Sequence, residues 1–170
     1  NHDMTRAASR YCFGQDDRRA KVALAMLLTL KGTPFIYYGE EIGLRDIPIR
    51  KKSEVKDPIG KSFWPFFKGR DGCRAPMQWS SKLHAGFSQT DPWLPVNADY
   101  PRRNVVRQQS NPESLLNFFK KLVAIRNEQP ALQHGDFIAL DKNPHDILAF
   151  TRKLDEDQIL LLLNFKSREN

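Results

Sequence analysis

The stretch GTPFIYYGEE, residues 32–41, limits the possible folds more than any other part of the chain. Pro34 opens a run of β-formers, Phe35 to Tyr38, that is apolar without alternation. A strand with one wet face alternates. An unbroken run suits a strand buried on both faces, as in a parallel sheet covered by helices. Gly39 closes the run, and the polar Glu40 and Glu41 come directly after it. The segment before it, DDRRAKVALAMLLTLKG, carries helix signals. Asp16 or Asp17 can cap its start, Ala20 to Leu30 is rich in Ala, Leu and Met, and Gly32 is a natural stop. Its broad apolar face predicts packing on two sides. Helix, buried strand and acidic loop make half of a βαβ unit.

Residues 45–110 are irregular and hold seven of the chain's eleven prolines. A loop this long with little structure of its own is commonly functional. After it comes NPESLLNFFKKLVAIRNEQP, which predicts a helix over 112–127, with Asn111 as cap, Pro112 at the first helical position and Glu113 in the first turn. Leu115, Phe118, Phe119, Leu122 and Ile125 recur at helical spacing, so one face is core. Beyond Pro130 the period changes. Residues 137–140, 147–151 and 159–165 are short β-rich runs, split by Asp141-Lys142-Asn143-Pro144 and Asp155-Glu156-Asp157. This predicts an antiparallel meander. Three strands alone are marginal unless they pack on something larger, so a domain boundary is expected near Pro130, with a second domain that is cut short.

With 40% hydrophobic and 28% charged residues, the 170-residue chain belongs to the globular class. No run approaches the length of a membrane span. The net charge of +7 is spread over the chain, densest at Arg50-Lys51-Lys52, with no helix-turn-helix, zinc-knuckle or RNA-binding pattern. That distribution predicts a solvated basic surface and no nucleic-acid partner. Cys12 and Cys73 form neither a CxxC pair nor a Cys/His metal spacing, so free, partly buried thiols in a reducing compartment are expected.

Three places offer chemistry. Asn1-His2-Asp3 sets three polar residues together at the very start, where no Met or leader precedes them, as expected of a chain cut from a longer protein. An Asp beside a His can equally cap a turn. GRDGCRAPMQW, residues 69–79, gathers Arg70, Asp71, Arg74 and Trp79 around Gly72. Arg offers fixed multiple donors and Trp a flat apolar face, a combination suited to a sugar ring. The same residues suit an Arg–Asp bridge that only shapes a loop. Glu40 and Glu41, adjacent on an extended backbone, point in opposite directions, so at least one is expected to bond loop backbone or an Arg. His84, His134 and His145 stand isolated, and Phe63, Trp64, Phe66 and Phe67 are expected to pack in the loop or core.

NHD before a helix, then GTPFIYYGEEIGL, GRDGCRAPMQW, HAGFS and PWLPVNADY, in this order, resemble the α-amylase superfamily of glycoside hydrolases. Within it they are most similar to the α-glucosidase and oligo-1,6-glucosidase branch. The resemblance implies an α/β fold: the C-terminal part of a (β/α)8 TIM barrel, from the end of strand seven through helix eight, over residues 1–129. The start of an antiparallel β domain would occupy 130–170. Active sites of such barrels lie on loops at the C-terminal ends of the strands, which would place Asn1-His2-Asp3 on one loop and Gly39-Glu40-Glu41 on another.

By the same resemblance, Asp3 matches the third catalytic acid, which bonds the sugar's hydroxyls and helps stabilise the transition state. His2 matches a residue that bonds the same ring. Arg70, with Arg74 as second choice, matches the arginine that holds glucose in the first subsite, paired with an acid from an earlier loop. Phe87 would line the entrance. A retaining glycosidase also needs a nucleophile and an acid/base about 5 Å apart, and neither has a counterpart here. The implied parent is an α-glucosidase acting on maltose- or isomaltose-type oligosaccharides, bacterial and cytoplasmic, with no cofactor and no nucleic-acid or membrane partner; this chain supplies no metal ligand and is expected to be inactive alone. The alternatives are a sucrose or maltose isomerase, a transglucosidase, or a non-enzymatic transporter heavy subunit.

Overall fold

The computed structural model describes residues 1–12, 16–140 and 146–166. The chain divides into two compact units. One comprises Asn1–Asp17 with Ile36–Asn117, the other Arg18–Phe35 with Phe118–Asn170.

The second unit is built on regular elements. Helix α2 (Arg18–Thr29) buries Ala20, Leu24 and Leu28. After the part of helix α5 (Leu115–Glu128) that lies beyond Asn117 and the short α6 (Pro130–His134) come the strands β1 (Asp136–Ala139), β2 (Ile147–Leu154) and β3 (Asp157–Asn164). They form the expected antiparallel meander in the order β1-β2-β3, with Phe137 opposite Arg152 and Phe150 opposite Leu161. Asp155 turns the β2–β3 hairpin with φ 51°, a left-handed conformation that Asp tolerates better than most residues. Inward residues alternate along β3, where Leu161 and Leu163 face the core while Leu160 and Leu162 stay exposed.

Two arginines finish α2. Its last carbonyls have no partner inside the helix. Arg126 donates Nη1 to the Leu28 carbonyl at 2.6 Å and Nη2 to that of Gly32 at 2.8 Å. Arg152, fully buried on β2, donates Nη1 to Thr29 at 2.7 Å and to Leu132 at 2.9 Å, and Nη2 to Gly135 at 2.8 Å. Gly32 itself has φ +112°, in keeping with its role as a stop.

The first unit has almost no regular structure. Helices α1 (Ala7–Tyr11), α3 (Pro58–Phe63) and α4 (Val105–Gln109) are short, and tight turns link them. Among the described residues its apolar core includes Ile47, Ile49, Val55, Ala75 and Leu94, with Trp64 against them, and Ile42, Leu44, Met77 and Leu116, with Val105 against them. A buried loop must satisfy its backbone without ladders. Buried polar side chains do so here: Gln108 donates to the Ile42 carbonyl at 2.8 Å and accepts from Leu116 N–H at 3.0 Å, and Arg103 donates to Ile42 at 2.9 Å while pairing with Asp17 and Asp99.

Several expectations are corrected. Residues 35–38 form no strand, and Phe35 is 85% exposed. A parallel strand draws its hydrogen bonds from neighbours on either side, and none of the described residues pairs with this run. Helix α5 starts at Leu115 rather than Pro112. Ser114 Oγ accepts from Asn117 N–H at 3.1 Å, the capping bond, while Asn111 Oδ1 accepts from Glu113 N–H in the turn before it. Ile125 is half exposed, whereas Arg126 is buried on that helix. Of the loop aromatics only Trp64 packs on the core; Phe66 is 97% exposed, and Phe63 and Phe67 are exposed as well. His145 and the turn expected at 141–144 lie outside the described residues. Cys12 and Cys73 are both buried, and Cys73 donates its thiol to the Arg70 carbonyl at 3.1 Å. Among the described residues no helix is long and apolar enough to cross a membrane.

Candidate active site

The first three residues make a turn. Asn1 Oδ1 accepts the Asp3 N–H at 2.9 Å, an Asx geometry natural to Asn. Arg6, three positions on, anchors this turn to the rest of the unit. It is buried, with its guanidinium 4.6 Å from the centroids of both the Tyr37 and Tyr38 rings, and donates Nη1 to the Tyr38 carbonyl at 2.7 Å. Arg6 N–H meets Asp46 Oδ1 at 3.1 Å, and Asp46 N–H meets Ser9 Oγ at 2.8 Å. Glu40 takes the structural part expected of one of the two glutamates, since its Oε2 accepts from Tyr37 N–H at 3.0 Å. Gly39 has φ +83°, and a Cβ there would stand 2.6 Å from Leu44 Cδ2, so the turn after Tyr38 needs glycine.

The 69–74 loop reaches the same turn. Arg70 Nη1 lies 3.2 Å from Asp3 Oδ1, and Arg74 Nη2 lies 3.3 Å from the same oxygen. Arg74 Nε also donates to the His2 carbonyl at 2.9 Å. The other oxygen, Asp3 Oδ2, faces His2 Nε2 at 3.3 Å. A half-exposed carboxylate is thus oriented by two guanidiniums and an imidazole while keeping one edge open to solvent. Phe87 comes after a separate turn, Leu83–Gly86, and its half-exposed ring is not among the side chains that meet at Asp3.

Arg70 is itself held from behind. Asp57, buried at the start of α3, accepts from Arg70 N–H at 2.9 Å, Nε at 2.8 Å and Nη2 at 3.2 Å, and from Ile59 N–H at 3.1 Å. The Arg70 guanidinium holds the Asp57 carboxyl well below the usual carboxylate range, and the same hydrogen bonds raise Arg70 further above its ordinary value. One step further back, fully buried Asp71 accepts the backbone N–H of Lys56 at 2.6 Å and of Asp57 at 2.9 Å through Oδ2. Two glycines let these segments touch: a Cβ on Gly69 would lie 2.8 Å from Asp57 Cβ, and one on Gly60 would lie 2.7 Å from the Lys68 carbonyl.

Four of the five site residues read from the sequence, His2, Asp3, Arg70 and Arg74, therefore meet, and Phe87 stands apart. Asp57 was not singled out. Its local signal is a helix start, Asp before Pro, and nothing local says that Arg70, thirteen positions on, will fill its carboxylate. Among the described residues no group of three or more His, Cys, Asp or Glu side chains could hold a metal ion.

Known proteins share this arrangement of segments. Residues 1–135 match the model of the alpha amylase catalytic domain. The chain is 38% identical over 166 residues to a probable alpha-glucosidase of Rhizobium meliloti strain 1021, covering 96% of this chain and 30% of that protein. It is 32% identical over 190 residues to the oligo-1,6-glucosidase of Bacillus cereus, covering 99% of this chain and 34% of that protein. Among solved structures, the trehalulose synthase MutB from Pseudomonas mesoacidophila MX-45 superposes with a TM-score of 0.86 at 32% identity, over 98% of this chain and 34% of that one. An isomaltulose synthase mutant of Erwinia rhapontici NX5 holding sucrose gives 0.82 at 34% identity, over 98% and 33%. The chain spans about a third of the length of these relatives. The match across residues 1–135, with both arginines of the 69–74 loop bonded to the Asp of the opening turn, makes this chain a member of the alpha-amylase family of catalytic domains.

Proposed function

We propose that the chain is the C-terminal part of a retaining, exo-acting α-glucosidase that hydrolyses terminal α-linked glucose from maltose- or isomaltose-type oligosaccharides in the bacterial cytoplasm, without a cofactor. Residues 1–129 are the last portion of its catalytic barrel, and 130–170 open its β domain. The observation that carries this reading is the convergence of Arg70 and Arg74 on Asp3 Oδ1 beside His2. Asp3 accepts hydrogen bonds from the glucose hydroxyls, and these strengthen as the ring flattens towards an oxocarbenium-like transition state. The two arginines fix the carboxylate before the substrate arrives, so no reorganisation is needed at the moment of reaction. Nucleophile and acid/base are supplied by residues outside this chain, so the chain alone releases no glucose.

Asp3→Ala in the protein that carries this chain tests the assignment. The expected loss is about 10³-fold or more in kcat, with circular dichroism unchanged. Turnover like that of the wild type would remove Asp3 from the site.

A second reading is supported by the superposition on two sucrose-isomer synthases. The same site would then pass glucose to sugar rather than to water. Time-resolved products from sucrose and maltose separate the two: net release of glucose discards the isomerase, and accumulation of a glucose disaccharide isomer discards the hydrolase.

A further inference from the structure

In addition to the Asp3 cluster, the first unit carries a cleft of about 570 Å³. Its lining includes Ser53, Lys56, His84 and Asp91 together with the aromatic Trp93 and Tyr100. We propose that this cleft binds the distal units of a neutral α-linked oligosaccharide whose terminal glucose sits at Asp3. The inference rests on the glucoside reading and adds a second contact region to it.

Three features support it. The first is Trp93, 68% exposed although its neighbour Leu94 is buried in the core with Ile47, Val55 and Ala75. Pro92 and Pro95 flank the pair, and Asn97 ties the loop down by donating Nδ2 to the Asp46 carbonyl at 2.9 Å. A large aromatic held outward on a stiff support offers an apolar face to the C–H side of a pyranose at little entropic cost. The second is His84. Its φ is 51° and that of Ala85 is 58°, a left-handed pair without glycine, braced by the Ala85 carbonyl accepting Trp79 N–H at 3.0 Å and Ser80 N–H at 2.9 Å. This turn sets His84 Nε2 3.6 Å from the fully exposed Asp91 carboxylate, so both polar groups are placed at the rim for sugar hydroxyls. The third is charge. The lining sets one lysine, Lys56, against two carboxylates, Glu54 and Asp91, which disfavours a phosphorylated ligand and suits a neutral one.

The cleft also shares a support with Asp3. Lys56 N–H and Asp57 N–H bind the same Asp71 oxygen, and Asp57 carries Arg70. One wall of the cleft is therefore covalently next to the residue that positions the Asp3 cluster.

Trp93→Ala in the full protein that carries this chain is the test, with kcat/KM measured on maltose and maltoheptaose and on isomaltose and isomaltoheptaose. The expected result is a fall of about tenfold on the heptasaccharide of the preferred linkage, carried by KM, with the disaccharide unchanged within about twofold. Loss in equal proportion on short and long substrates, or no loss, overturns the proposal. Quenching of tryptophan fluorescence on titration with either heptasaccharide, present in wild type and absent in Trp93→Ala, reads the site independently of turnover. If the wild-type protein releases no glucose from any α-glucoside, the hydrolase reading fails, and the titration alone decides the cleft: a wild-type protein that binds neither heptasaccharide removes it.

Discussion

At Asp3 the chemistry is set by what stands behind the carboxylate as much as by the carboxylate itself. The Asp57 carboxylate accepts three of its four hydrogen bonds from Arg70, and the Asp57 N–H is held by Asp71. Asp57→Asn keeps an acceptor for Ile59 N–H, because Asn caps helices as well as Asp does. It removes the charge that orients Arg70 and puts an amide donor where Oδ2 accepts from Arg70 N–H and Nε. The expected result is a 10- to 100-fold fall in kcat/KM, with a loss of about 1–3 kcal/mol in stability, since interactions that place a catalytic group act at roughly the first scale and a buried unpaired donor at the second. Activity within about twofold of wild type would show that Arg70 needs no orienting partner. Asp3, His2, Arg70 and Arg74 were readable because each lies inside a short local motif. Asp57 was not, because its role depends on a contact across thirteen residues that no spacing rule encodes.

Among the elements, the two long helices and the meander came from periodicity and turn residues, which are local properties. The run at 35–38 did not become a strand, since strand formation depends on partners elsewhere. Tyr37 and Tyr38 stack on Arg6 instead, a contact the apolar pattern could not show. The end of α2 gives a parallel case. Gly32 marked the stop in the sequence, but the carbonyls before it are satisfied by Arg126 and Arg152, which sit far along the chain. Arg152→Ala would leave the Thr29, Leu132 and Gly135 carbonyls without this donor in a buried setting. A loss of about 3 kcal/mol or more is expected in urea unfolding. A loss below about 1 kcal/mol would mean that water replaces the guanidinium freely.

Across the whole molecule, three of the shifted carboxyls, Glu41, Asp46 and Asp57, give stability an uneven dependence on pH. Burial raises Glu41 and Asp46 above their ordinary values. Their contribution is full below the unfolded pKa, about 4, and is lost as pH rises through the folded values. Asp57 is lowered by Arg70, so its contribution is present above about 4 and lost as pH falls. The two effects leave these groups most favourable in mildly acid solution. Glu41→Gln is expected to flatten the decline in stability between about pH 4 and pH 7, read as urea midpoints across that range. A decline as steep as that of wild type would exclude Glu41 as its source.

The contact of Gly60 with Gly69, and of Asp57 with Arg70, has a consequence for anyone who redesigns specificity. Segments 56–60 and 69–74 pack as one module. A loop graft that imports the 69–74 arginines from a relative without its own 56–60 partner would bring in a gripping hand without its wrist.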